Sequence, residues 1–252
     1  MKRFCLFSFL LIVLNTRYLN AQKTVIDEEQ MWLGVLNQTR LSNKWGTWTD
    51  IHLRFKNDFV KDKSTLILPR LGLTYYVNDD VKLTAGYAYI NNYPDGARLI
   101  TQPEHRPWQQ IQWHTKYPKI RLMQWLRLEE RYRRKIQNNN ALIDGYNFNY
   151  RIRYNFLFST PLSKKGFAPQ SLQFVLNDEI HINPSKNIIY NIFDQNRFFI
   201  GLSYQITAMS NVQFGYMNLF QQLPAGNQFK NIHAARVFYF HNLDFRKPQE
   251  GK

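Results

Sequence analysis

The chain has 252 residues, 40 of them aromatic (19 Phe, 15 Tyr and 6 Trp), with 33 Lys and Arg against 18 Asp and Glu, one Cys and a formal charge of +15. That is the length of one domain, and charges spread through every segment leave no apolar run of the roughly 18 residues a membrane helix needs. A hydrophobic share of 44%, rich in aromatic and β-branched types, excludes disorder, because such a chain buries more apolar surface than a disordered one could.

In chain order, residues 1–21 read as an export signal. Lys2 and Arg3 precede the apolar stretch from Phe4 to Leu14, and Ala21 supplies the small residue that cleavage requires, so Gln22 is the expected mature start and 22–252 the expected domain. Cys5 falls inside the signal. The mature chain then has no cysteine, which excludes disulfides and thiol catalysis, and loss of Lys2, Arg3 and Arg17 lowers the charge from +15 to +12.

From about residue 30 onward, apolar and polar residues alternate with period two, the pattern of strands with one apolar and one polar face. Residues 30–41 and 47–56 are the first segments; in the second, Ile51, Leu53 and Phe55 oppose Asp50, His52, Arg54 and Lys56. Leu71, Leu73, Tyr75 and Val77 alternate with Arg70, Gly72, Thr74 and Tyr76, and after Asn78-Asp79-Asp80 the alternation resumes from Val81 to Tyr89, a tight hairpin. Residues 108–116 and 120–133 form another hairpin, its second strand placing Leu122, Leu126, Leu128 and Tyr132 opposite Arg121, Arg127, Glu129, Arg131 and Arg133. The clearest segment is 146–158: seven aromatic or aliphatic residues from Tyr146 to Phe158 on one face, and Asn147, Asn149, Arg151, Arg153 and Asn155 on the other. Segments 172–182, 197–205, 212–216 and 232–245 follow the same rule.

These strands, roughly 10–14 residues long, exceed the globular mode of five or six and suit a tilted crossing of a bilayer, which takes about 9–11. The expected fold is therefore all-β: a transmembrane, antiparallel, up-and-down β-barrel with short turns at one end and longer loops at the other. Eleven strands are evident. Since single bacterial chains usually close with an even number, a further strand at 22–29 and a total of twelve are expected, ten being the other closure, with both chain ends in the periplasm. Trp32, Trp45, Trp48, Trp108, Trp113 and Trp125 lie mostly near strand ends, as interfacial girdles require, although Trp125 falls on the polar face.

Several stretches carry a family pattern. Glu104-His105-Arg106-Pro107-Trp108-Gln109-Gln110, Arg127-Leu128-Glu129-Glu130-Arg131, Asn177-Asp178-Glu179, Phe193-Asp194-Gln195-Asn196-Arg197 with Gly201, and Gly215-Tyr216-Met217 together resemble the domain of unknown function 2490 (DUF2490) family. The resemblance spans nearly the whole mature chain. It implies an exported outer-membrane barrel of Bacteroidota, and it implies no activity and no catalytic residues.

Alternation assigns Arg54, Lys56, Arg70, Lys82, Arg121, Arg127, Arg131, Arg133, Arg151, Arg153 and Arg197 to the lumen, against Asp50, Glu129 and Glu179. Of these, Arg54, Arg70, Arg121, Arg127, Glu129, Arg131, Arg151, Arg153, Glu179 and Arg197 are the candidate contacts for a solute. A confined basic wall concentrates anions, so a porin-like channel or binding barrel for small anionic solutes is the expected function. The alternative for the same residues is a packed polar interior in which Glu129 pairs with Arg127 and Arg131, and Glu179 with His181. A structural or partner component of an outer-membrane complex, working through loops such as 91–107 and Asn138-Asn139-Asn140, is a second class of function. An outer-membrane hydrolase is a third, but the six histidines show no Ser-His-acid order and no metal-ligand spacing beyond Glu179-x-His181. No enzyme activity, cofactor, metal or nucleic-acid partner is expected; the expected surroundings are outer-membrane lipid, other outer-membrane proteins and an anionic solute, around a monomeric barrel.

Overall fold

The computed structural model describes residues 23–184, 192–223 and 227–246. The export signal, its cleavage at Ala21–Gln22 and the tail 247–252 lie outside the described residues. Alternating residues place every polar side chain of a segment on one face, and eleven such segments form strands: β1 (Thr24–Arg40), β2 (Trp45–Lys56), β3 (Asp62–Tyr76), β4 (Val81–Asn92), β5 (Gln102–Lys116), β6 (Arg121–Gln137), β7 (Ala141–Pro161), β8 (Ser171–Ile182), β9 (Phe193–Gln205), β10 (Ser210–Gln222) and β11 (Gln228–Asp244). They close into one barrel, each strand antiparallel to the next. Among the described residues no helix is long and apolar enough to cross a membrane.

The strand number differs from the even count expected. Residues 24–29 are not a strand of their own but the start of β1, which runs unbroken for 17 residues. An odd number of antiparallel strands leaves the first and last pointing the same way, so β1 and β11 pair in parallel, from Thr24 with Gln228 to Arg40 with Asp244. Residues 23 and 246 therefore lie at opposite rims, not at one.

Register fixes the geometry of the wall. Starting at Arg40, directly paired neighbours lead through Gly46, Thr74, Thr84, Gln110, Arg127, Arg153, His181, Gln195, Gln221 and Lys230 back to β1 at Ile26. The sheet thus closes with a stagger of 14 residues, 40 minus 26. Eleven strands with that stagger, at ordinary strand spacing and rise, tilt by about 42° and enclose a backbone radius of about 11 Å. At this tilt about ten residues cross an apolar band ~25 Å tall, and the shortest strands have 12.

One rim carries the connections 41–44, 77–80, 117–120, 162–170 and 206–209; the other carries 57–61, 93–101 and 138–140, and there too β8 and β10 end and β9 and β11 begin. We call them the turn rim and the loop rim. The loop expected at 91–107 is shorter, because β4 continues to Asn92 and β5 resumes at Gln102. The expected Asn138-Asn139-Asn140 loop is the tip of a hairpin that outruns its neighbours: β6 pairs β7 out to Gln137 and Ala141, whereas β5 pairs β6 only as far as Glu104 and Arg133. Asn138 and Asn139 turn it at φ 48° and 62°, the left-handed region that Asn tolerates better than most residues.

Burial is inverted relative to a water-soluble barrel. In β7, Tyr150, Tyr154 and Phe156 point outward and are exposed, while Asn149, Arg151, Arg153 and Asn155 are buried inside. Leu71 and Leu73 of β3 are more than half exposed on the outer surface, and Arg70, Thr74 and Tyr76 are buried within. Three of the six tryptophans depart from the girdle reading, and Trp125 points inward as its alternation indicates. Trp32, Trp48, Trp108 and Trp125 are all at most 8% exposed, because each shares the parity of inward polar neighbours such as Gln30, Asp50, Gln110 and Arg127. Room for them comes from small residues: Gly72 and Gly86 face each other across β3 and β4, and a Cβ on Gly86 would sit 2.8 Å from the Trp108 ring.

Candidate functional site in the barrel lumen

Among the described residues the lumen holds ten arginines, Arg54, Arg70, Arg106, Arg127, Arg131, Arg133, Arg151, Arg153, Arg197 and Arg236, and five carboxylates, Asp50, Glu104, Glu129, Glu179 and Asp194. Strand alternation brings them together from β2, β3, β5, β6, β7, β8, β9 and β11. Most of the arginines are held by carboxylates. Arg151 donates from Nη2 and Nε to Glu129 Oε2 at 2.5 and 2.8 Å and lies 3.3 Å from Asp194. Arg153 donates to Glu129 Oε1 and to Glu179 Oε1, 2.6 Å each. Arg131 grips Glu104 with two parallel bonds of 2.8 and 3.0 Å, the fork geometry that makes such pairs strong, and Arg106 shares the same carboxylate at 2.7 Å. Arg70 donates to Asp50 at 2.8 Å, and Trp48 Nε1 donates to that carboxylate too.

Both acid–histidine neighbours belong to this packing. The His181 ring nitrogen lies 3.0 Å from Glu179 and that of His52 lies 3.1 Å from Asp50; each carboxylate is simultaneously held by an arginine. Glu129 pairs only in part as the sequence suggested, with a long ion pair to Arg127 and none to Arg131 among the described residues. Its close partners come from the neighbouring strand β7, Arg127 stands 3.9 Å away, and Arg131 turns to Glu104. Cross-strand distance is shorter than the two-residue spacing along one face, and only the register reveals it.

Three arginines stand outside this network. Among the described residues, Arg54, Arg133 and Arg236 make no ion pair; Arg133 donates to Asn149 at 3.2 Å and Arg236 to Gln213 at 3.0 Å. Arg54 rests on the ring of Trp32, 3.5 Å from its centre, with Arg197 over the same ring at 5.0 Å. Arg236 rests on Phe199 at 3.4 Å. Such cation–π contacts stabilise a guanidinium without neutralising it.

Nine of the ten candidate residues therefore lie in the lumen: Arg54, Arg70, Arg127, Glu129, Arg131, Arg151, Arg153, Glu179 and Arg197. Arg121 stands at the end of the row: it opens β6 at the turn rim, exposed and against Phe167 at 3.9 Å, and lines the mouth of the cavity there. Glu104, Arg106, Asp194 and Arg236 were missed. Glu104 and Arg106 share the parity of Trp108 and Gln110, but Pro103 and Pro107 made the stretch read as loop; the β5–β6 ladder is interrupted at Arg106 and Pro107, where proline has no N–H to donate.

A cavity of about 860 Å³ runs along this interior. Its lining includes Glu28, Asp95 and Lys230 at the loop rim and Arg40, Lys82 and Asp244 at the turn rim. Its walls are unlike. Charged residues dominate on β5 to β8, whereas Trp32, Val175, Phe199, Met217, Leu219, Ile232 and Ala234 form an apolar cluster along β8 to β11 and β1.

Fold and lumen together define a closed β-barrel with an apolar exterior and a polar, arginine-rich interior. The chain belongs to the family described as protein of unknown function (DUF2490), whose model matches residues 29–230. A comparison with curated proteins found no match.

Proposed function

We propose that the protein spans the outer membrane of a bacterium of the Bacteroidota, as a single barrel surrounded by lipid, and that its lumen binds and passes small anions. The observation that carries this reading is the lumenal imbalance of ten arginines over five carboxylates along a continuous cavity. A net positive field in a narrow, low-dielectric passage lowers the energy of an anion and raises that of a cation. The exposed apolar belt over tilted strands of 12 or more residues supports the membrane setting. Turns face the periplasm and loops the outside in this arrangement.

The cavity volume falls in the range of ligand pockets, about 300–1,000 Å³, and an eleven-stranded wall lies between filled eight-stranded barrels and open porins. Binding with slow passage fits that size better than bulk diffusion. His52 and His181 are engaged with carboxylates that arginines also hold, which favours binding over catalysis.

The test is single-channel recording of refolded protein in a planar bilayer under a salt gradient, after heat-modifiable migration in detergent gels has verified the folded barrel. A small conductance with an anion-selective reversal potential is expected, and Arg54→Glu should shift that potential toward cation selectivity. A cation-selective wild type would overturn the reading, as would purification of the native protein from the soluble periplasm.

A further inference from the structure

We infer that the solute for which this lumen is shaped is an amphiphilic anion, an apolar chain ending in a carboxylate or phosphate; this rests on the anion-binding reading above and narrows it. Of the three arginines without a carboxylate partner among the described residues, Arg133 on β6 does not line the cavity, and the two that do stand close together. Arg54 on β2 and Arg236 on β11 flank β1, and Arg54 shares the Trp32 ring with Arg197. The Nε atoms of Arg54, Arg197 and Arg236 are buried and make no hydrogen bond among the described residues. All three residues line the cavity. Donors so placed, with Arg54 and Arg236 free of any ion pair among the described residues, Arg197 held only by a 3.5 Å contact to Glu179, and each guanidinium against an aromatic ring, suit an incoming oxyanion, which accepts several N–H groups at once.

Beside them lies a surface that an inorganic anion would not use. Toward the turn rim, Trp32 is followed on β1 by Leu36, Arg153 on β7 by Leu157, and Arg236 on β11 by Phe238 and Phe240. These four apolar side chains face inward, are only partly buried, and line the same cavity. Leu157 and Phe238 pack on the apolar cluster that contains Trp32 and Phe199. An apolar interior wall is unusual where water fills the lumen, since the inner faces of membrane barrels are polar. An anion with a chain of several methylenes would seat its head at the arginines and its tail along this wall, with burial of each CH₂ adding to the affinity.

Equilibrium dialysis of the full-length barrel held in amphipol would test this with decanoate, decyl phosphate, acetate, inorganic phosphate and decanol. Saturable binding of decanoate or decyl phosphate, one per barrel and at least tenfold tighter than acetate, phosphate or decanol, is expected, whichever of the two heads binds tighter naming the headgroup. Arg54→Gln should weaken decanoate at least tenfold, and Arg236→Gln serves if that variant fails the heat-modifiability check. Acetate within threefold of decanoate would overturn the inference and leave the anion reading intact. Decanol as tight as decanoate would remove the arginines from the site, and saturable binding of none of the five would overturn both readings.

Discussion

Glu129 shows what holds the interior together. Its side chain is fully buried, accepts hydrogen bonds from Arg151 and Arg153, and has Arg106 3.6 Å away. Taking a carboxylate out of water costs several kcal/mol, which only matched positive charge and satisfied oxygens offset. Glu129→Gln keeps the shape and removes the charge, so Arg151 and Arg153 face a neutral acceptor. The expected loss is about 3–5 kcal/mol, the usual cost of breaking a buried pair from one side, read as a lower urea midpoint of the vesicle-embedded barrel by tryptophan fluorescence. A loss below ~1 kcal/mol would mean that these charges are solvated rather than matched. Adding Arg151→Gln should recover part of the loss, because the residues share one network. The same network explains why Arg151 and Arg153, the most legible arginines of the sequence, are poor probes of selectivity: reversing them breaks the pairs with Glu129 and Glu179. Arg54, which has no ion pair, is the informative position.

Among the elements, the β4–β5 connection 93–101 lies across the loop rim. Lys56 of β2 donates to Pro94 O at 2.9 Å and to Asp95 Oδ1 at 2.8 Å; Lys230 of β11 donates to Asp95 Oδ2 and to Glu28, at 2.8 and 2.9 Å. At the other end Leu99 N donates to Asn139 O of the projecting hairpin at 2.9 Å. Burial would raise the Asp95 carboxyl, but hydrogen bonds from Lys230 and Lys56 outweigh it and hold the group below the usual carboxylate range. A depressed pKa means the tether contributes fully above the unfolded carboxylate value, about 3.9, and is lost as pH falls through the lower folded value. Hydrogen exchange in 93–101 should therefore stay slow from neutral pH down to about pH 4 and rise only below it, whereas Asp95→Asn should raise it at pH 7. Opening of the wild-type segment between pH 7 and 5 would show that a different group holds it.

For the whole molecule, the parallel seam between β1 and β11 decides how the barrel closes. Leu33 and Val237 are paired across it, and the mature chain expected from the sequence has no other cysteine. Leu33→Cys with Val237→Cys should form a disulfide under mild oxidation and keep the barrel compact in detergent gels after heating. Absence of the cross-link in folded protein would contradict the parallel closure. The even strand count expected from the sequence failed here because parity is a property of closure, which no local pattern carries: residues 24–29 read equally well as a short strand or as the start of a long one, and only the pairing with Gln228–His233 makes them part of β1.

What the sequence determined by itself was everything written with a period of two: eleven alternating segments, their length, which face of each is polar, and nine of the ten candidate residues inside the lumen. Side-chain direction alternates along a strand regardless of what surrounds it, so that information is local. Only the tertiary structure decided the seam, the partners of each charge and the apolar arc of the lumen, because these depend on which strands become neighbours and in what register. Trp32 and Arg54 are 22 positions apart in the chain and directly paired across β1 and β2, and Arg236 meets Phe199 from two strands away. Contacts of that kind exist only once the sheet has closed.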